Sequence, residues 1–138
     1  MIVCIGWGSL IWCQKSLPVA SGWQADGPRL PVEFARESSD KRITLVICER
    51  SPAVEVLWAP LDVATLNNAK QVLAAREGIR DHNIQYSIGY WSPAAASNHH
   101  GGAAIAQWAA ARGFEGAVWT VSVRARGVIS GVGDGVFR

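Results

Sequence analysis

The chain has 138 residues, of which 49% are hydrophobic and 17% charged. That is one domain's worth of sequence, able to bury roughly two-thirds of its extended surface, and it excludes a disordered polyelectrolyte. Thirteen Lys and Arg against eleven Asp and Glu leave a net charge of +2, with no basic run longer than Lys41-Arg42. So small and scattered an excess cannot drive phosphate binding alone, and no nucleic-acid partner is expected.

Met1 to Cys13 is strongly apolar. It lacks a basic segment after Met1, and Gly6 and Gly8 interrupt it, so it reads as a β-strand (Met1 to Ile5) entering a glycine loop and not as a signal peptide. No apolar run approaches the ~20 residues of a membrane helix. A cytoplasmic protein without a membrane partner is expected. Cys4, Cys13 and Cys48 are odd in number and form no Cys-x-x-Cys pair, which suits reduced, buried thiols.

Gln14 to Pro31 is polar and turn-rich, and reads as a long surface loop anchored by Trp23. Val32 to Ala35 is a candidate second strand. Ile43 to Cys48 is the clearest strand signal, followed by the Ser51-Pro52 break and a further strand over Val54 to Ala59. The pattern predicts a hairpin across 43–59. From Pro60 to Glu77 the period changes. Leu66, Ala69, Leu73 and Glu77, with Val72 beside them, mark one face of a helix. Asp62 lies near its start and Gly78 is the natural residue just past its end. Ile84 to Trp91 predicts another strand, Ala103 to Arg112 a second helix stopped by Gly113, and Gly116 to Val121 a last strand. Arg124 to Arg138 carries four glycines and no usable periodicity, and reads as an irregular or truncated end of a single domain spanning 1–138.

Five or six short strands and two helices, without regular βαβ alternation, predict an α+β fold: a small mixed β-barrel or a curved sheet.

Three places could carry chemistry. The first is Gly6-Trp7-Gly8-Ser9-Leu10-Ile11-Trp12. Two glycines at this spacing let the backbone turn sharply and present consecutive N–H groups, a cradle for a carboxylate or an oxyanion. Ile11 stands where a dinucleotide fingerprint needs its third glycine, and no Gly-Lys-Ser/Thr follows. Trp7, two before Ser9, excludes a nucleophile elbow. On spacing alone a purely structural turn fits equally well.

The second is Glu77. On the apolar face, and at a helix C-terminus, a carboxyl group would hold its proton more tightly than one in water, which suits proton shuttling. Arg76 projects about 100° away around the helix and need not neutralise it. An exposed or Arg-paired glutamate is the structural alternative. The third is His99-His100. Adjacent histidines diverge, and His82 is the only other histidine, so a surface loop and no metal site is expected. No base stands near the cysteines to activate one as a nucleophile. The seven tryptophans are spread along the chain and suit core and pocket walls more than a base-stacking platform.

The segment Gly6-Trp7-Gly8-Ser9-Leu10-Ile11-Trp12 resembles the Gly-Tyr-Gly-Ser-Leu-Ile-Trp signature of γ-glutamylcyclotransferase-like proteins, including the ChaC-like branch. Phe34-Ala35-Arg36-Glu37-Ser38 with Arg42-Ile43-Thr44-Leu45-Val46 resembles the family's next block. Arg76-Glu77 with Gly89-Tyr90 resembles the segment carrying its catalytic glutamate, and Ala117-Val118-Trp119-Thr120 a late strand. These blocks occur in order over residues 1 to 121.

The resemblance implies a γ-glutamylcyclotransferase-like barrel that releases 5-oxoproline from a small γ-glutamyl compound. It implies Glu77 as general acid and base, and the backbone of Gly6, Trp7, Gly8, Ser9 and Leu10 as the substrate cradle. No cofactor, metal or covalent intermediate is required, and a homodimer is compatible with the chain. Trp7 replaces the usual tyrosine, removing a hydroxyl and adding bulk. A non-catalytic small-molecule-binding barrel is the rival reading.

Overall fold

The computed structural model describes residues 1–7, 9–13, 15–30, 32–37, 43–47, 54–99 and 101–121. In chain order its elements are β1 (Ile2–Gly6), α1 (Ser9–Trp12), β2 (Arg29–Leu30), β3 (Val32–Glu37), β4 (Ile43–Ile47), β5 (Val54–Glu55), β6 (Leu57–Pro60), α2 (Leu66–Glu77), a 3-10 turn (Asp81–Asn83), α3 (Ile84–Ser87), β7 (Ile88–Trp91), α4 (Gly102–Ala111) and β8 (Gly116–Thr120).

The centre of this mixed α+β fold is β1, whose five residues are all buried. An apolar run without alternation suits a strand covered on both faces. It pairs antiparallel with β6 and parallel with β8, and β7 lies antiparallel on β8, giving the order β6-β1-β8-β7. Successive side chains of a strand point to opposite faces, and the core divides accordingly. Val3, Ile5, Ala117 and Trp119 pack with Ile105 and Ala109 of α4. Ile2, Cys4 and Val118 pack with Ala69, Leu73 and Ala74 of α2 and with Leu10 of α1. The sheet is therefore a middle layer with α4 on one face and α1 and α2 on the other.

Two shorter ribbons accompany it, β2 with β5 and β3 with β4. The segment 18–28 is more than a crossing loop. Ala20 donates to the Pro60 carbonyl at 2.8 Å, Gln24 and Trp58 exchange both backbone bonds at 2.7 and 3.0 Å, and Gly27 and Val56 continue the pairing. It thus shields the edge of β6, with Leu17 and Leu30 buried at its two ends.

The two long helices, β1 and the last strand form where the sequence predicts them. The 43–59 hairpin does not. β4 pairs antiparallel with β3, while β5 takes β2 and β6 takes β1. Chain proximity favoured the hairpin, but the apolar faces of β1 and β6 are satisfied only in the central sheet. Ile84 to Ser87 is a helical turn and not the start of a strand; only Ile88 onward joins the sheet. Among the described residues the strands form an open sheet with two ribbons and do not close into a ring. Cys48 and Arg124 to Arg138 lie outside the described residues.

Candidate functional site

The position of Glu77 follows from how α2 starts and stops. Thr65 caps the start, its side-chain oxygen accepting from the Asn68 N–H at 3.0 Å. At the other end Gly78 adopts φ 73°, the left-handed conformation that glycine reaches without a Cβ clash. Ile79 N–H then reaches the Ala74 carbonyl at 2.9 Å and Gly78 N–H the Ala75 carbonyl at 3.2 Å. This paired closure fixes Glu77 as the last residue of the helix.

Glu77 stands at an edge rather than on a buried face. Counted whole, the residue is exposed, because its main chain opens to solvent at the turn. Its side chain alone keeps 26% exposure, and that figure bears on the carboxylate. The buried stripe of α2 runs Ala69, Leu73, Arg76, so the helical repeat delivers Arg76 to the interior and leaves Glu77 at the rim. The two side chains pair, as the structural alternative for Glu77 has it. Arg76 Nη1 lies 2.7 Å from Glu77 Oε2. Arg76 Nη2 donates to the carbonyl of Cys13, the residue that follows α1.

One buried guanidinium thus joins the end of α2 to the end of the α1 segment, and Leu10 packs in the same core as Leu73 and Ala74. The end of α2 and the α1 segment are thereby held together. The Arg76-Glu77 pair engages Oε2; among the described residues Oε1 carries no hydrogen bond.

Of the expected cradle, Gly6 ends β1, Trp7 is half-buried and Leu10 is buried. Ser9 opens α1, and Gly8 lies outside the described residues. Gly6 also serves packing. A Cβ there would come within 2.5 Å of Trp23 Cζ3 and 2.7 Å of Cη2, so the missing side chain makes room for an indole. Among the described residues the buried Trp23 N–H has no hydrogen-bond partner. Sequence spacing suggests the turn at Gly6 but not this ring, which comes from the segment 18–28.

Cys4 is fully buried in β1. Burial first, and then the negative charge of Glu77, push its thiol far above the ordinary range, against the opposing pull of Arg76. A thiol so held is inert. Cys13 is exposed and free. His99 Nε2 lies 3.0 Å from the Gln85 carbonyl oxygen, and His100 lies outside the described residues. Among the described residues no group of three or more His, Cys, Asp or Glu could hold a metal ion.

Trp119 and Trp91 are core. Trp58 and Trp108 form an edge-to-face pair at 5.8 Å, with Phe114 beside both. A cavity of about 1000 Å³ lies elsewhere, between the first half of α2 and β7, and Glu77 and the glycine loop are not among its lining residues.

The chain matches no family model, no curated protein and no solved structure.

Proposed function

We propose that the chain is a γ-glutamylcyclotransferase-type enzyme that releases 5-oxoproline from a γ-glutamyl compound, with Glu77 as general acid and base. The single observation that carries this reading is the Arg76 bridge. Arg76 binds both the Glu77 carboxylate and the carbonyl of Cys13, the residue that follows α1.

In this reaction the substrate brings its own nucleophile. Its α-amine attacks its own γ-carbonyl carbon and closes a five-membered ring; the bond from that carbon to the departing amine then breaks. Because the attacking group is tethered, the protein's main task is to hold a reactive conformer. One proton must leave the α-ammonium and one must reach the departing nitrogen. A single carboxylate can do both in turn, and Glu77 Oε1 is the oxygen left for it. Arg76 holds Oε2 and so orients the group. The backbone from Gly6 through Trp7, Gly8 and Ser9 to Leu10 is the proposed cradle for the glutamyl carboxylate or the carbonyl oxygen. Closure of the strands into a full barrel belongs to the same proposal.

The test is 5-oxoproline release from a panel of γ-glutamyl amino acids and amines. Wild-type turnover with loss in Glu77→Gln supports the reading. Equal turnover by both forms removes Glu77 from the reaction. A non-catalytic binding role finds support in the same ion pair, since one carboxylate oxygen is already committed. Retained binding of a γ-glutamyl compound without turnover identifies that case.

A further inference from the structure

The cavity between α2 and β7 stands apart from the Glu77 corner and has a composition of its own. Lys70 and Asp81, of opposite charge, both line it. Among the described residues neither enters an ion pair. The Lys70 ammonium rests 4.3 Å from the centroid of the Tyr90 ring, which holds it at the wall without neutralising it. The side chains of Asn67, Gln71 and Asn98 add donors and acceptors, and Ile88 supplies an apolar surface. The Ser97 hydroxyl is spent on the Tyr90 backbone, at 3.0 and 3.3 Å. The wall from β7 to this turn is thereby braced.

We propose that this cavity binds a small zwitterionic molecule of the free amino-acid or short-peptide class, with its carboxylate toward Lys70 and its ammonium toward Asp81. Two opposite charges in one concavity, unpaired with each other, match a ligand carrying both. A simple anion would leave Asp81 opposed, and a simple cation would leave Lys70 opposed. The volume of about 1000 Å³ is at the upper end for small-molecule sites and admits more than a single amino acid. The carboxamides suit the peptide group of such a ligand, each offering both a donor and an acceptor.

The experiment is an amide NMR titration of the full chain with alanyl-leucine, N-acetyl-alanyl-leucine and alanyl-leucine amide. Saturable shifts at Asn67, Tyr90 and Asn98 are expected with the free dipeptide, and at least about tenfold weaker binding with either blocked form. Lys70→Met is expected to abolish the discrimination against the amide, and Asp81→Asn that against the acetyl form. Absence of saturable shifts below about 10 mM overturns the proposal. So do equal affinities for all three compounds, or discrimination unchanged in both variants. Because the readout is binding at the cavity, its failure leaves the reading of Glu77 untouched, and loss of 5-oxoproline release leaves this one untouched.

Discussion

Arg76 and Glu77 are neighbours in sequence, yet one is buried and the other stands at a rim, and their side chains meet at 2.7 Å. The pair joins the end of α2 to Cys13 through the second guanidinium nitrogen. Arg76 therefore has a structural duty, and Glu77 keeps one carboxylate oxygen outside the pair. Arg76→Ala should lower stability by about 2 kcal/mol, from lost packing and an unpaired Cys13 carbonyl. Glu77→Gln, whose amide oxygen can still accept from Arg76, should be milder. Urea midpoints for the two variants check the order. Under the proposed reaction the activity effects reverse in rank, Glu77→Gln losing at least about 100-fold in kcat/KM.

Gly6→Ala tests whether the glycine loop is shaped by Trp23. The new methyl would sit 2.5 Å from Trp23 Cζ3, so a partly buried indole must move. Overpacking of this kind costs about 1–3 kcal/mol. Trp23→Leu removes the obstructing ring, and the double variant should be less destabilised than the two single changes predict. A double-mutant cycle measures this coupling. Additivity would mean that the ring and the glycine do not constrain each other.

Cysteine reactivity should be strongly uneven. Cys13 is exposed, whereas Cys4 is fully buried with its thiol pushed up by burial and by Glu77. Alkylation of the native protein followed by peptide mapping should label Cys13 within minutes and Cys4 only after unfolding, since the thiolate is the reactive form. Activity surviving Cys13 modification would also exclude a cysteine nucleophile at that position.

Asp26 links the 18–28 segment to Trp58 of β6 and to the end of α4. Its carboxylate accepts from Arg112 and from the Trp58 indole N–H, both at 2.8 Å, and its backbone carbonyl accepts from Trp108 at 3.0 Å. Arg112 first, and Trp58 next, hold the Asp26 carboxyl below its ordinary value of 3.8. A group depressed in the folded state contributes stability that is present above the unfolded value and is lost as pH falls through the folded one. The wild type should therefore lose an increment of Tm below pH 3.8 that Asp26→Asn lacks at every pH. Parallel Tm curves for the two proteins across pH 2 to 6 would remove Asp26 from the linkage.

What the sequence settles by itself is local. The apolar run of β1, the three-and-four spacing of α2 and the glycines after both long helices depend on neighbours within a few residues, and each element forms where those signals lie. After Ala69 and Leu73 the helical repeat admits either Arg76 or Glu77 as the next buried residue, and the packing of α2, with the Cys13 carbonyl as a partner, buries Arg76. Nothing along the chain announces that β4 pairs with β3, that residues 18–28 run beside β6, or that Trp23 covers Gly6. Those partners are separated by intervening chain, so no local signal selects them. The corner joining Glu77 to Cys13 and the cavity holding Lys70 and Asp81 arise in the same way, from the packing of α2 onto the sheet.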